Sequence, residues 1–337
     1  MKKLIPNTSP LKLSPGYFFE TYMTSRETIE QGKLNTEYNC MYQLLPKSLR
    51  GYRQVLHLNA MQTSYIWRPG GLMHSPASPK DSFVITVFEN CVDKACFGRM
   101  KLKTGDIIFF DDSYIYNFIN NGEIAFSTVM IDKSHLYSIH PMMSSLLNHH
   151  IYDTDSRFAS ILHEIWKRYT EPSTHKKQSE DFQQAEDEIL AVLMELLAEQ
   201  TPVIPKLTAG EKTALAIRNQ VFHHMDGAIN IQSLAEQHNI SQQTLQNSFK
   251  SLFGFTPNFF LRTLKLNHVH QELAKSSPKQ TTVSQVAYKW GFTHMGRFAA
   301  YYTELFEQHP SQTLKAPYSA AEENIKDSCV GRQEEMI

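Results

Sequence analysis

A chain of 337 residues is long enough for two separate hydrophobic cores. With 41% hydrophobic and 20% charged residues and a formal net charge of -1, its composition is that of an ordinary folded protein, which excludes wholesale disorder and gives no whole-chain sign of a nucleic-acid partner. Charge is unevenly placed, however: Thr208 to Lys315 carries about +4 and the remainder about -5, so the C-terminal third is the better surface for a polyanion.

The chain begins MKKLIPNTSPLKLSP, with no apolar run of signal-peptide type. No stretch approaches the roughly 18 apolar residues of a membrane span, so a cytoplasmic protein with no membrane partner is expected. Its cysteines, Cys40, Cys91, Cys96 and Cys329, are then expected to be reduced.

Between about Tyr52 and Ile131 short β-rich runs such as SFVITVF, DIIFF and IAFSTVMI are punctuated by Arg68-Pro69-Gly70-Gly71, Thr104-Gly105-Asp106 and Asn120-Asn121-Gly122. Short strands with regular turns predict a sandwich or small barrel. From Asp155 the period changes. Phe158, Ile161, Leu162, Ile165 and Tyr169 recur at helical spacing, and Phe182, Ile189, Leu193, Leu196 and Leu197 mark a second amphipathic helix from Gln178 to Glu199. That helix has two uses open to it, pairing with its copy in a homodimer or packing on its own barrel. Two prolines in Thr201-Pro-Val-Ile-Pro-Lys206 oppose helix, which makes 201–206 a linker between a β-rich domain over 1–200 and an all-α domain over 207–315. The polar segment 316–337, lacking either period, is expected to be a disordered tail.

Within the α domain the sequence repeats itself: Ser233-Leu-Ala-Glu-Gln-His-Asn-Ile-Ser241 aligns with Gln285-Val-Ala-Tyr-Lys-Trp-Gly-Phe-Thr293. Each position suits a helix-turn-helix. Ala235 and Ala287 are small where two helices cross, and Asn239 and Gly291 tolerate positive φ in the turn. Ile240 and Phe292 enter the core, and Ser241 and Thr293 are hydroxyl residues able to cap the second helix. The buried stripe Leu245, Phe249, Leu252, Phe253 then corresponds to Phe298, Tyr302, Leu305, Phe306 if one residue is inserted near Met295. Between the copies, Thr256-Pro257 starts a linker helix whose apolar face, including Phe260, Leu261, Leu264, Val269 and Leu273, continues to Ala274. Held apart by a rigid helix, two such units can lie in successive major grooves about 34 Å apart on one face of DNA.

Through LAEQHNISQQTLQNSFKSLFGFTPNFFL and VAYKWGFTHMGRFAAYYTELFEQHPSQTL, the region Thr208 to Leu314 resembles the AraC/XylS family of bacterial transcription regulators. TLQNSF and LKLNHVHQEL also look somewhat like the ethanolamine-operon branch of that family. The chain departs from the family at Lys265-Leu266, where Arg is usual before the apolar residue, and at Phe306-Glu-Gln-His309, which lacks the usual Gly ahead of Pro310-Ser311.

On the first recognition helix, Gln242, Gln243, Gln246, Asn247 and Lys250 lie opposite the buried stripe, with Ser241 at its start. Gln and Asn can pair with adenine edges, each good pair discriminating by roughly 1–3 kcal/mol. The second helix offers Met295, Gly296, Ala299, Ala300 and Thr303, with Thr293, His294 and Arg297 near its start. It is therefore expected to position the protein on DNA more than to read it.

The resemblance implies double-stranded DNA and RNA polymerase as partners, transcription activation, and a cupin-like N-terminal domain that senses a small-molecule effector and dimerises. Tyr65, Trp67, Tyr114 and Tyr116, with Phe118, lie in or beside predicted strands and are candidates for the effector pocket, against the plainer reading of ordinary core. A metal-dependent cupin would show clustered His and carboxylate, whereas His57, His74 and His135 are scattered. His268 and His270, two apart on a helix, point to different faces and read as surface or DNA-proximal residues. No metal, cofactor or catalytic machinery is expected. Cys91 and Cys96 are a candidate redox pair if a hairpin joins them and Lys94 favours thiolate, against the plainer reading of two reduced thiols around a turn. Two other readings remain: a regulator controlled by a protein partner or by expression level, and a helical interaction module that binds no DNA.

Overall fold

The computed structural model describes residues 10–23, 39–46, 51–76, 78–98, 100–112, 118–170, 179–204, 206–223 and 229–315. The expected tail over 316–337, Cys329, Tyr114 and Tyr116 lie outside the described residues.

The N-terminal half runs β1 (Phe18–Met23), β2 (Asn39–Gln43), β3 (Gly51–His57), β4 (Met61–Arg68), β5 (Leu72–Pro76), β6 (Ser82–Cys91), β7 (Ala95–Phe97), β8 (Met100–Leu102), β9 (Asp106–Asp111), β10 (Phe118–Asn120) and β11 (Ile124–Asp132). Helix α1 (Lys133–Ile139), a 3-10 turn (Pro141–Leu146), β12 (His150–Tyr152), α2 (Arg157–Thr170) and α3 (Ser179–Glu199) follow. Among the described residues the strands form a seven-stranded sheet, β1-β3-β4-β11-β6-β9-β12, and a five-stranded sheet, β2-β5-β10-β7-β8. The runs SFVITVF, DIIFF and IAFSTVMI are the hearts of β6, β9 and β11. At the Thr104-Gly105-Asp106 turn, Gly105 has φ +91, and a Cβ there would come within 2.7 Å of the Asp153 carbonyl, so the turn requires glycine.

Strand alternation sends side chains to opposite faces, and both faces of the long sheet are buried here. One face joins the short sheet in an aromatic interior of Phe88, Phe97, Phe110, Phe118 and Phe126. The opposite face, with Leu56, Ile85, Phe109 and Val129, is covered by α2 and α3. The apolar stripe of α3, Phe182, Ile189, Leu193, Leu196 and Leu197, is spent inside the chain on this core. Glu186 of the same helix accepts a hydrogen bond from Met61 N at 3.0 Å, fixing α3 to the start of β4. A homodimer would therefore have to use a surface other than that stripe. This two-sheet, cupin-like barrel with trailing helices is the N-terminal architecture expected.

After Glu199 the chain crosses the barrel, and Val203 and His150 exchange backbone hydrogen bonds of 2.9 and 3.0 Å. The helical part comprises α4 (Ala209–His223), α5 (Ile231–Gln237), α6 (Gln242–Phe253), α7 (Pro257–Ala274), α8 (Val283–Lys289), α9 (Met295–Phe306) and α10 (Pro310–Lys315). Pro257 opens α7 behind the N-cap Thr256, whose side chain accepts from Phe259 N. Helix α7 contributes Phe260 and Leu264 to one core with α4, α5 and α6, and Val269 and Leu273 to another with α8, α9 and α10.

The first of these cores does not stop at the helices. Tyr42, Met73, Ile119 and Cys96, cross-strand neighbours on β2, β5, β10 and β7, form one row on the outer face of the short sheet. This row packs into the core that holds Leu245, Phe249 and Phe253. Burying a side chain of this size contributes roughly 1.5–3 kcal/mol, so barrel and first helical unit share a substantial apolar contact. Among the described residues no helix is long and apolar enough to cross a membrane.

Candidate nucleic-acid interface

Two helix pairs, α5–α6 and α8–α9, are built alike. Ala235 and Ala287 are buried where the pairs cross, and Asn239 (φ 52) and Gly291 (φ 80) occupy the left-handed turn position in each. Asn230 caps α5 by accepting from Ser233 N at 2.9 Å. Thr282 and Gln285 form a reciprocal capping box at α8, satisfying backbone donors that would otherwise be left over.

The recognition helices differ at their starts. Ser241 caps α6 and accepts from Thr244 N at 3.1 Å. Thr293 does not cap α9: the residue inserted near Met295 moves the N-cap to His294, which makes no side-chain capping bond. The sequence expectation for Thr293 is corrected accordingly. His294 thus supplies no side-chain acceptor to the first-turn amides of α9, and uncapped amides of this kind are donors that a helix start can offer to an anion. Thr293, His294, Gly296, Arg297 and Ala300 are exposed and Met295 is half-buried.

On α6, Leu245, Phe249, Leu252 and Phe253 turn inward. Gln242, Gln243, Asn247 and Lys250 are exposed and Gln246 is half-buried. Gln243 Nε2 donates to Asn247 Oδ1 at 3.0 Å, so these two amides form a pre-ordered pair on the outer surface. Four side-chain amides and Lys250 give this helix base-edge and phosphate chemistry, whereas α9 offers one guanidinium, helix-end amides and small apolar groups.

Helix α6 is also held from behind. Lys94 Nζ donates to the Lys250 carbonyl at 2.9 Å, and Lys101 Nζ donates to Ser251 Oγ at 3.0 Å. Asn121 Nδ2 donates to the Phe253 carbonyl. Glu211 at the start of α4 accepts from Lys101 at 2.7 Å and from Ser251 at 2.9 Å. Burial pushes the Glu211 carboxyl up, but hydrogen bonds from Lys101, Thr208 N and Ser251, with the Lys101 charge, bring it down to about 2. Nothing in the linear sequence pointed to these contacts, because those that Lys94, Lys101 and Asn121 make each join segments more than a hundred residues apart.

Several other sequence candidates acquire structural roles. His268 stacks on Trp290 with ring centres 4.4 Å apart, and His270 stacks on Phe306 at 4.3 Å and bonds the Tyr302 hydroxyl at 2.7 Å. Both are half-buried packing residues, in place of the surface or DNA-proximal role expected. Lys265 Nζ donates to the Ile229 carbonyl at 3.0 Å and so ties α7 to the entrance of α5. The missing glycine after α9 leaves Glu307 in the left-handed region at φ 56.

Tyr65 lies on the helix-covered face of β4, edge-on to Trp166 at 5.9 Å, and not among the aromatics between the sheets. Trp67, two residues on, is half-buried on the same face. Cys96 faces the helical part while Cys91 packs against the barrel interior, so the two thiols sit on opposite sides of the short sheet. Burial pushes Cys91 up to about 12 and Cys96 up to about 11, and Lys94 is engaged with Lys250, so neither thiol is activated. His57 is buried between Ser14 N, at 3.1 Å, and Gln62, at 3.0 Å. Among the described residues no group of three or more His, Cys, Asp or Glu is placed to hold a metal ion.

Residues 234–316 match a family model described as a helix-turn-helix domain. The XylDLEGF operon transcriptional activator of Pseudomonas putida is 34% identical over 87 residues, 26% of this chain and 27% of that protein. The "Probable thc operon regulatory protein" of Rhodococcus erythropolis is 29% identical over 92 residues, 27% of this chain and 28% of that protein. The match thus spans little more than a quarter of these relatives. Among solved structures, the AraC-like transcriptional activator CuxR aligns over 69% of this chain and 89% of that one, at 12% identity and a TM-score of 0.42.

Proposed function

The helix-turn-helix domain of this chain is of the AraC/XylS family, and from that premise we propose that the chain is a cytoplasmic, sequence-specific DNA-binding transcription regulator. One observation carries the reading: two helix-turn-helix units on one linker helix, α7, each with its second helix buried along one side and exposed along the other. In this reading α6 supplies base discrimination through Gln242, Gln243, Gln246 and Asn247, with Lys250 and Ser241 on the backbone. Helix α9 positions the protein through Arg297, His294, Thr293 and its open amides, while Met295, Gly296 and Ala300 allow close apolar approach to thymine methyls. One relative carries the name of an operon transcriptional activator, which supports activation, and RNA polymerase is the further partner that the resemblance implies.

Control by a small-molecule effector through the N-terminal barrel is part of the same proposal. The shared core behind α6 supports it, because any change in how the barrel seats that helix alters the geometry of the two readers.

The test is selection of genomic fragments by the full-length chain across a salt series. Specific binding retains one enriched motif as salt rises, while phosphate-only binding fades without sequence preference. Asn247→Ala is expected to relax the motif, and Arg297→Ala to weaken all sequences alike. Sequence-blind binding by the unsubstituted chain overturns the sequence-specific reading, and no binding even at low salt favours a helical interaction module.

A further inference from the structure

A cleft of about 410 Å³ lies where the barrel's end meets the crossing segment and the start of α4. Its apolar lining includes Met100, Val203, Ile204 and Leu207, and its polar lining includes Asp106 and His150. Val203 and Ile204 are 52% and 48% exposed, large apolar side chains left open to solvent at the rim. In the β9–β12 ladder His150 opposes Ile108 and Tyr152 opposes Asp106. Side chains alternate along a strand, so Asp106 and His150 share one face of the sheet.

Asp106 is only 4% exposed. Its Oδ2 accepts from Lys103 N at 2.8 Å. Among the described residues its Oδ1 has no hydrogen-bond partner, and neither has Nδ1 of His150, though both atoms are shielded from solvent. Buried polar atoms are nearly always satisfied, and two unserved ones on residues that line the same cleft point to a missing partner.

We propose that this cleft binds a small, mostly apolar molecule carrying a hydroxyl group, of the alkylphenol or alkanol class. A hydroxyl donates one proton and accepts through its lone pairs, so a single group serves both Asp106 Oδ1 and the Nδ1–H form of His150. A carboxylate would meet Asp106 with like charge, and an ammonium would leave the imidazole N–H unserved. The apolar remainder covers Val203, Ile204 and Leu207, within the size range of small-molecule sites. Lys101 and Glu211 also line the cleft and hydrogen-bond Ser251 of α6, so the occupant sits one side chain from the proposed recognition helix. This inference rests on the effector-controlled reading above and names the site and class of that effector.

The test uses the full-length chain with propylphenol and hexanol as hydroxyl probes, propylanisole as the methyl ether, and hexanoate and hexylamine as charged controls. Thermal unfolding and calorimetric titration are the readouts. Propylphenol is expected to raise the unfolding midpoint and to bind roughly tenfold or more tightly than propylanisole, which lacks the donor to Asp106. Ile204→Trp, at an exposed position, is expected to fill the cleft and abolish the shift, while Val92→Trp, exposed elsewhere, leaves it intact. Asp106→Asn is expected to erase the preference for phenol over ether. Equal binding of ether and phenol, tighter binding of a charged control, a shift that survives Ile204→Trp, or no shift from either hydroxyl probe overturns the proposal. If propylphenol binds in the cleft without changing affinity for the selected DNA motif, the site stands and effector control through it falls. If another metabolite changes that affinity equally in Ile204→Trp, the site falls and effector control stands.

Discussion

Asn267 and Gln43 exchange two hydrogen bonds across the junction of the two halves: Gln43 N donates to Asn267 Oδ1 at 2.8 Å, and Asn267 Nδ2 donates to the Gln43 carbonyl at 2.7 Å. A fully buried side chain in the middle of α7 thereby serves the edge of β2 as a neighbouring strand would. Gln43 also reaches the second helical unit, donating through Nε2 to the Leu305 carbonyl at 2.7 Å. Asn267→Leu keeps the bulk but strands both backbone groups, and a loss of roughly 1–3 kcal/mol for each is expected in denaturant unfolding. An unchanged midpoint would show that the junction is not held this way.

The ends of the two recognition helices make a matched pair with opposite expected signs. Helix α6 ends on Gly254 at φ 82, where an added Cβ would fall 2.3 Å from Asn121 Nδ2. Helix α9 ends on Glu307 at φ 56, a conformation that favours glycine. Glu307→Gly is therefore expected to stabilise the chain by about 1 kcal/mol, and Gly254→Ala to destabilise it by more. Thermal unfolding of both variants side by side checks the pair, and stabilisation by Gly254→Ala would contradict it.

What the sequence disclosed was what its local periods encode. The duplicated Ala, turn residue and apolar residue located both helix-turn-helix units because each feature is set within nine residues. The β runs located β6, β9 and β11 because turns and alternation are local as well. The row Tyr42, Met73, Ile119, Cys96 was illegible: each residue reads as an ordinary inward strand position, and only the sheet order makes them neighbours. The same holds for Tyr65 and Trp67, whose aromatic character marked burial but not which face of β4 they occupy. Thr293 misled for a smaller reason, since one inserted residue moved the cap to His294. Asp106 gave no signal as a site residue because a Gly-Asp turn accounts for it fully until His150 is placed beside it.

Cys96 supplies a probe of whether barrel and helices part. Its side chain is fully buried in the shared core, and burial holds its thiol up at about 11. A thiol reagent at neutral pH is expected to reach it only through opening of that contact. In a variant retaining Cys96 alone, labelling should slow when the selected DNA motif is bound if DNA favours the docked arrangement, and quicken if DNA draws the halves apart. Rapid labelling of the free protein would mean that the shared core is open in solution.

Glu211 predicts an acid-labile junction. In the folded chain its carboxyl titrates at about 2 against the usual 4.5, because Lys101, Thr208 N and Ser251 favour the charged form more than burial disfavours it. A group whose folded pKa is depressed contributes stability that is fully present above the unfolded value and disappears as pH falls through the folded one. The contribution of Glu211 should therefore be complete at neutral pH, begin to decline near pH 4.5 and be gone near pH 2. Glu211→Gln removes the charge at every pH, so the gap in unfolding midpoint between the two proteins should be widest at neutral pH and close across that window. A gap that stays constant into acid would assign the effect of the substitution to packing. A gap that closes would place the acid-sensitive contact at Lys101 and Ser251, directly behind α6.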